Sequence, residues 1–401
     1  MNTTSDRMVV LTPKGCRRLD LGYYWIYRSD LAHIPEGLSA GPVLVARGKK
    51  PRPCAYALYS PASKISLRIC RHLNKNRDHG PAEEVLGAAW LHARLQKAQA
   101  LRQRLNISDS AYRLVYAESD GLPSVIVDRY GDCLSVQTLS AGAETFKEML
   151  FDELLQMFQP RAIVERNDSK VRSYEGLQPT KGVVRGELEG RVEATMNGLK
   201  FAVDLINGQK TGAFLDQREN WARAQAVAAG SALDLFSYNG GFAMSMAPKA
   251  RHVLAVDSSE EALKTLHQNL RLNNIDNVET VAVNSFDLLR ELDLRKEKFD
   301  TIVLDPPSFI KNKKSFTDGL RGYKEINLRA MRCLNEGGIL VSCSCSYHLS
   351  REEMIAMLQV ASTDAGKELK ILEVRGAAPD HPEHIGVPES AYLKCVIGVV
   401  E

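Results

Sequence analysis

No run of consecutive apolar residues in this chain approaches the roughly 20 that a membrane-spanning helix needs, so no membrane partner is expected. The N-terminal stretch MNTTSDRMVVLTPKG lacks the long apolar segment and small-residue cleavage site of a signal peptide. Cysteine is sparse: 8 among 401 residues, at positions 16, 54, 70, 133, 333, 343, 345 and 395. Such scatter fits reduced thiols in a cytoplasmic protein and argues against a disulfide scaffold. Only Cys343 and Cys345 lie close together. No second pair and no His-x3-5-His follows at zinc spacing, so no structural metal is expected. Internal repeats and low-complexity segments are also missing.

Against these absences, apolar residues at 44% and charged residues at 25% are ordinary for a globular protein, and the length suggests two to three domains. Net charge is only +3, but it is unevenly spread. Residues 1–77 hold 14 lysines and arginines against 4 acidic residues, a net +10, which leaves −7 for the remainder. A basic module on a mildly acidic body suits a polyanion partner, nucleic acid above all. A solvated basic surface is the plainer alternative.

Three regions read differently. Residues 1–75 show short apolar runs (MVVL, YYWIY, PVLVA, YALY, ISLRIC) broken by turn residues, the pattern of a small β-rich module. The polar stretch from His72 to Pro81 reads as a linker. Residues 80–192 read as an α+β domain. It opens with a helix from Glu83 to Leu105, then SVIVDRY and CLSVQTL around Gly131-Asp132 as a hairpin, a helix over Thr145–Phe158 and a strand over Arg161–Arg166. Residues 195–401 alternate apolar strands (SALDLF, VLAVD, VETVAVN, FDTIVLD, GGILVSCSC) with helices, which predicts a doubly wound α/β domain. Ser258-x-x-Glu261 and Ser350-x-x-Glu353 fit capping boxes, and SAYLKCVIGVV is a last strand with no helix after it.

The first strand of this third region runs into Asp234-Leu-Phe236-Ser-Tyr238-Asn-Gly240-Gly241, a turn whose glycines would allow close approach of a ligand at the carboxyl ends of the strands. The second strand ends in Asp257, followed by Ser258, and an acid there can accept the hydroxyls of a ribose. G-x-G-x-x-G is missing, which favours a nucleoside cofactor over a dinucleotide. The third strand ends in Asn284, whose carbonyl oxygen can accept an adenine amino group. The fourth ends in Asp305-Pro306-Pro307-Ser308, where two prolines fix a rigid exit loop and hold Asp305 at the same sheet edge.

The fifth strand carries the two thiols. Alternation points Cys343 and Cys345 to one side, with Cys345 nearest the ligand-binding end and Cys343 one step deeper, where a thiol packs as a small apolar residue. A thiolate adding to C6 of a pyrimidine makes C5 nucleophilic enough to attack a sulfonium methyl, a covalent route that divides one hard step into easier ones. The helix that begins near Ser350 could lend its positive end to activate the thiol. A structural role for Cys345 fits the same spacing equally well. The loop Phe309–Lys324 carries Lys311, Lys313, Lys314, Arg321 and Lys324 with Phe309, Phe316 and Tyr323 interleaved, a mixture suited to phosphates and unstacked bases.

Taken together these motifs resemble the bacterial 23S ribosomal RNA cytosine-C5 methyltransferases with an N-terminal PUA domain. The likeness runs through AYALYSPASKISLR (55–68), YRLVYAESDGLPSVIVDRYG (112–131), LSAGAE (139–144), GQKTGAFLDQREN (208–220), FSYNGGFA (236–243), DPPSF (305–309), RGYKEIN (321–327), NEGGIL (335–340), SCS (344–346) and DHP (380–382). The resemblance implies a PUA fold for residues 1–75, a central α+β domain and a Rossmann-like class I methyltransferase domain that uses S-adenosyl-L-methionine. It implies that Lys210, Thr211, Gly212, Phe214, Asp216, Gln217 and Arg218 pack over the cofactor, with Arg218 a suitable partner for its carboxylate. Cys345 matches the nucleophile position, and Asp305 is expected to hydrogen-bond a flipped-out cytosine. Two departures stand out: Asn284 replaces the usual acid, and Cys343 replaces an aromatic. No residue is marked as the base for the C5 proton. His381 of Asp-His-Pro is a candidate, and a conformational role for that segment is the alternative. The expected partner is 23S ribosomal RNA, with homodimerisation open. Two rival readings share the fold: methylation of a purine nitrogen, which needs no thiol, and a non-catalytic RNA-binding assembly factor.

Overall fold

A computed structural model describes residues 6–73 and 80–401, so most of the expected linker lies outside the described residues. The chain forms two compact units. One comprises Met1–Ala194, Val203–Phe214 and Pro379–Ser390; the other comprises Thr195–Ala202, Leu215–Ala378 and Ala391–Glu401. Among the described residues no helix is long and apolar enough to cross a membrane.

The first unit contains a six-stranded and a five-stranded sheet. In the six-stranded sheet, Gly41–Arg47 pairs antiparallel with Arg52–Tyr59 and parallel with Met8–Leu11. Its central strands are apolar on both faces, which explains the uninterrupted PVLVA run. Val43, Val45, Ala55 and Ala57 face one core, together with Leu19 and Ile69. Leu44, Tyr56 and Leu58 face the other way, as alternation requires, into a core that includes Leu91, Leu95, Val127, Leu134 and Phe151. The basic module therefore shares a core with the helices and hairpin that follow it. The expected hairpin is present, with Val125–Tyr130 antiparallel to Cys133–Thr138. The helix expected over Glu83–Leu105 is broken: Ala82–Val85 and Ala88–Arg104 are separate helices joined through Leu86 and Gly87. The helix expected from Thr145 starts at Lys147 and ends at Phe158.

The second unit is the doubly wound domain. We label its helices α1 (Arg218–Val227), α2 (Gly241–Met246), α3 (Glu260–Leu272), α4 (Ser285–Arg295), α5 (Phe316–Arg332) and α6 (Arg351–Ala365). Its strands are β1 (Ser231–Leu235), β2 (His252–Asp257), β3 (Val278–Ala282), β4 (Phe299–Leu304), β5 (Leu334–Ser344), β6 (Leu369–Arg375) and β7 (Lys394–Val400). They run in the order β3-β2-β1-β4-β5-β7-β6. The pairs from β3 to β5 are parallel, while β7 is antiparallel to both of its neighbours. A last strand with no helix after it can enter in this sense, between β5 and β6. Leu233, Leu235, Ile302, Leu304 and Leu340 bury into one core with Met354 and Leu358 of α6. Leu263, Leu266 and Leu270 of α3 are buried on one face, as their spacing implies. The capping box at Ser350 and Glu353 forms. The one expected at Ser258 does not: Ser259 is the cap of α3, accepting from the amide of Ala262.

Candidate active site

The chain direction of β1, β2, β4 and β5 brings their carboxyl ends to one edge of the sheet, the position a parallel α/β sheet offers to ligands. The turn after β1 is held in a strained form. Phe236 and Tyr238 lie at φ +67° and +50°, left-handed values that cost side-chain-bearing residues energy and that only surrounding contacts can maintain. Those contacts are present. The Ser237 amide donates to the Val256 carbonyl at 2.9 Å, the Val256 amide donates to Ser237 Oγ at 2.9 Å, and the Tyr238 amide donates to Asp257 Oδ2 at 2.9 Å. The turn is thus stitched to β2. The two glycines answer to the protein itself. A Cβ on Gly240, at φ +91°, would lie 2.1 Å from Leu266, and one on Gly241 would lie 2.3 Å from the Trp221 indole. They let α2 dock against α1 and α3.

Asp257 takes a second amide, from Ser259, on Oδ1 at 2.9 Å, while Ser258 is exposed beside it. Asn284 is the N-cap of α4; its Oδ1 accepts from the amides of Phe286 and Asp287. The carbonyl expected to meet adenine is therefore already engaged, and the amide NH2 is what an exposed Asn284 presents. Asp305 is half-buried, accepts from Gln217 Nε2 at 2.9 Å and precedes a buried Pro306. Gln217 Oε1 in turn accepts from Asn220 at 2.7 Å, so Gln217 is a brace for Asp305. Asp234 is fully buried; its Oδ2 accepts from the Ala243 amide, and Oδ1 has no hydrogen-bond partner. Burial, then the Asp305 charge and more weakly that of Asp257, push its carboxyl up to about 8. Three carboxyl groups at one edge, one of them with an orphaned buried oxygen, fit a ligand that carries both hydroxyls and positive charge, as S-adenosylmethionine does.

Among the segment expected over the cofactor, Asp216, Gln217 and Arg218 belong to the second unit. Arg218 is buried with Nε 3.5 Å from Glu219, and Asp216 accepts from the Tyr392 hydroxyl. Lys210, Thr211, Gly212 and Phe214 belong to the first. There Thr211 donates to Asp128, the Lys210 ammonium lies 4.4 Å from the Phe214 ring centroid, and a Cβ on Gly212 would press on Val203. His381 and Asp380 are also in the first unit, both buried. His381 Nδ1 is 3.0 Å from Asp380 Oδ1, while Asp380 Oδ2 accepts from the Arg113 amide and its carbonyl accepts from Arg102. These bonds tie Asp-His-Pro to the five-stranded sheet through Arg113 and to the helix Ala88–Arg104 through Arg102.

The two thiols differ sharply. Cys343 is 1% exposed, stands opposite Cys395 in the β5–β7 register, and is held well above its ordinary pKa by burial and by that neighbour. Cys345 lies just past the end of β5 and is half-exposed. The serines beside it are buried anchors. Ser346 Oγ is 2.8 Å from both Ser308 Oγ and Tyr323 Oη and accepts from the Ile310 amide. This cluster locks the Cys345 segment to the Asp-Pro-Pro-Ser loop.

One residue was not singled out from sequence. Lys394, at the start of β7, is 1% exposed and donates to the carbonyls of Ser346 at 2.6 Å and Tyr392 at 2.7 Å. Burial draws its ammonium down to about 8, and the Cys345 charge is the largest influence opposing that fall. A lysine in an otherwise apolar terminal strand was the available signal.

The segment Phe309–Lys324 is not the loop expected. Asn312 caps a short turn at Lys313–Ser315, and α5 begins at Phe316. Lys311, Lys313 and Lys314 are exposed, and Arg321 is exposed within 3.7 Å of Asp318. Lys324 is ion-paired to Asp364 at 2.6 Å. Tyr323 is fully buried and belongs to the core, while Phe309 is half-buried and packs against Phe236, Phe286 and Tyr323. Phe309 also lines an open pocket of about 420 Å³, together with Phe286, Pro307, Lys311 and Asp318. Among the described residues no cluster of His, Cys, Asp and Glu is arranged to hold a metal ion.

Residues 180–396 match the family described as S-adenosylmethionine-dependent methyltransferase, and residues 9–71 match a PUA-like domain. The chain belongs to the S-adenosylmethionine-dependent methyltransferases, with the class I α/β fold and an N-terminal PUA-like domain. It is 38% identical over 377 residues to Ribosomal RNA large subunit methyltransferase I of Escherichia coli O139:H28, covering 92% of this chain and 93% of that one. The protein of the same name from Klebsiella pneumoniae is likewise 38% identical over 377 residues, covering 92% of each chain. Among solved structures, a methyltransferase complexed with SAH superposes with a TM-score of 0.82 at 19% identity, covering 98% of this chain and 99% of that one. A methyltransferase from Streptococcus mutans gives 0.81 at 18%, with the same coverage.

Proposed function

We propose that this methyltransferase modifies carbon 5 of a cytosine in 23S ribosomal RNA, with Cys345 as nucleophile. The name of the relatives supports a large-subunit ribosomal RNA substrate. The observation that carries the chemistry is the contrast between the thiols. Cys345 stands half-exposed past the end of β5, and its segment is locked to the loop that bears Asp305, while Cys343 is sealed in the core. Methylation of a ring nitrogen would need no such thiol.

In this reading Asp257 receives the ribose hydroxyls, Asn284 meets the adenine through its NH2, and Asp216, Arg218 and the turn from Asp234 to Gly241 hold the methionine part of the cofactor. Bound S-adenosylmethionine supplies an electrophilic methyl group. The Cys345 thiolate adds to C6, forming a C–S bond and moving the C5–C6 π electrons onto C5, which takes the methyl. Asp305, braced by Gln217, hydrogen-bonds the flipped base and fixes its face. Loss of the C5 proton to solvent or a base restores the double bond and expels the thiolate. Exposed Lys311, Lys313, Lys314 and Arg321, with Lys49, Lys50 and Arg52 of the PUA-like module, supply phosphate contacts, and Lys324 adds a weaker one.

The test is incubation of enzyme and cofactor with unmodified ribosomal RNA carrying 5-fluorocytosine, in which the C5 substituent cannot leave as a proton. A covalent adduct is expected with the wild-type chain and with Cys343→Ala, and none with Cys345→Ala. A methyl group mapped to a purine nitrogen would sink the cytosine reading. Absence of any methyl transfer, with RNA binding intact, would favour an assembly factor.

A further inference from the structure

The thiol of a free cysteine is mostly protonated near neutral pH, so a nucleophilic Cys345 needs a group that favours its thiolate. The candidate suggested by sequence, the N-terminus of α6, starts at Arg351, six positions along the chain. Lys394 is better placed. It lies directly opposite Ser344 in the β5–β7 register, and its ammonium is bonded to the carbonyl of Ser346, the residue after Cys345. Among the described residues its ammonium pairs with no carboxylate and is held by the Ser346 and Tyr392 carbonyls. The charged groups acting on it are Cys345, then Arg351 and Glu353 at the start of α6. Burying an ammonium on two carbonyls alone leaves its charge uncompensated, which is costly unless an anion stands nearby. Of the two anions that act on it, Cys345 and Glu353, the Cys345 thiolate has the larger influence.

We infer that Lys394 is a positioning residue for the nucleophile: its ammonium, fixed on the Ser346 and Tyr392 carbonyls, balances the Cys345 thiolate and favours that form. The thiol proton leaves to solvent and the lysine keeps its own. The lowered lysine pKa agrees with this arrangement, because a buried ammonium that titrates near 8 is still mostly charged at neutral pH. The coupling is reciprocal, so removing either partner shifts the titration of the other. The inference rests on the assignment of Cys345 as nucleophile, but its test needs no RNA.

The experiment measures iodoacetamide alkylation of Cys345 in the full chain from about pH 5 to about pH 9, read by mass spectrometry of the Cys345 peptide. Lys394→Met should raise the midpoint by about one unit, slowing alkylation roughly tenfold near neutral pH. Lys394→Arg, which restores a cation, should bring the midpoint back toward wild type. A folded Lys394→Met chain, judged by its melting transition and cofactor affinity, with an unshifted midpoint would overturn the inference and leave the lysine as a cap for two carbonyls. If the methionine variant does not fold, NMR of lysine-labelled protein decides. The Lys394 titration should move down in Cys345→Ala, and an unchanged titration overturns the inference. A wild-type chain that yields no 5-fluorocytosine adduct but shows the Lys394-dependent alkylation shift would refute cytosine-C5 chemistry alone. The converse pair of results would refute only the role of Lys394.

Discussion

Asp234 offers the most quantitative test of the site. Its carboxyl is carried from 3.8 to about 8 on folding, by burial and by the neighbouring Asp305 and Asp257 charges. A carboxyl whose folded pKa is raised binds its proton more tightly in the native state. Its contribution is therefore fully present below about pH 4 and is lost as pH rises through about 8. Between about pH 5 and about pH 8 the loss spans nearly three units, on the order of 4 kcal/mol at about 1.4 kcal/mol per unit. Asp234→Asn mimics the protonated acid at all pH values. Its carbonyl can still accept from the Ala243 amide, and any cost of burying the new NH2 is constant with pH. The observable is the slope: urea unfolding of the two proteins across this range should show the variant gaining on wild type by about 4 kcal/mol. Cofactor affinity should move oppositely. A cationic ligand favours the ionised carboxyl, so wild type should bind it more tightly as pH rises and the variant should not. Parallel stability curves for the two proteins would refute the claim that Asp234 is held neutral in the free enzyme.

Gly241→Ala places a Cβ against the Trp221 indole and should cost about 1–3 kcal/mol in denaturant unfolding, because neither α1 nor α2 can retreat without uncovering core. Replacing Lys311, Lys313 and Lys314 together by alanine should weaken RNA binding and lower the slope of log affinity against log salt by about 2, measured by filter binding. Lys324→Ala should change that slope less, since Asp364 already neutralises the ammonium. Alanines at Lys49, Lys50 and Arg52 should reduce RNA affinity and its salt dependence while leaving cofactor affinity unchanged. Point substitutions are the right tool there. Excising the first 75 residues would strip Leu44, Tyr56 and Leu58 from a core shared with Leu91, Leu95 and Phe151.

Much of this chain was readable in one dimension, because local rules dominate it. Apolar runs of strand length, separated by capped helices, specify a parallel sheet covered on both faces. The parity of a strand puts Cys343 and Cys345 on one side, with Cys345 nearer the ligand edge. The strand-end acids Asp257 and Asp305 follow from the same logic, since parallel strands deliver their carboxyl ends to a common edge. Where the reading failed, a local ambiguity was settled by distant contacts. Phe309–Lys324 looked like an RNA-facing loop because charges and aromatics alternate there. Tertiary packing instead winds its second half, from Phe316, into α5 and buries Tyr323 beneath Ser346, 23 positions away. The double glycine suggested ligand approach; a second demand on it, the packing of Leu266 and Trp221 against the two glycines, appears only in the folded chain.

The sequence by itself determined the class of fold, the edge of the sheet where chemistry can occur, and which of two thiols stands there. The register of β7 against β5 was decided only by the folded chain. It brings Lys394 to the carbonyl beside Cys345 across 48 positions of sequence and sets Cys395 against Cys343. Sheet periodicity tells which face a residue occupies but not which strand will lie beside it. Partner choice rests on the summed burial of many apolar side chains, not on any short motif.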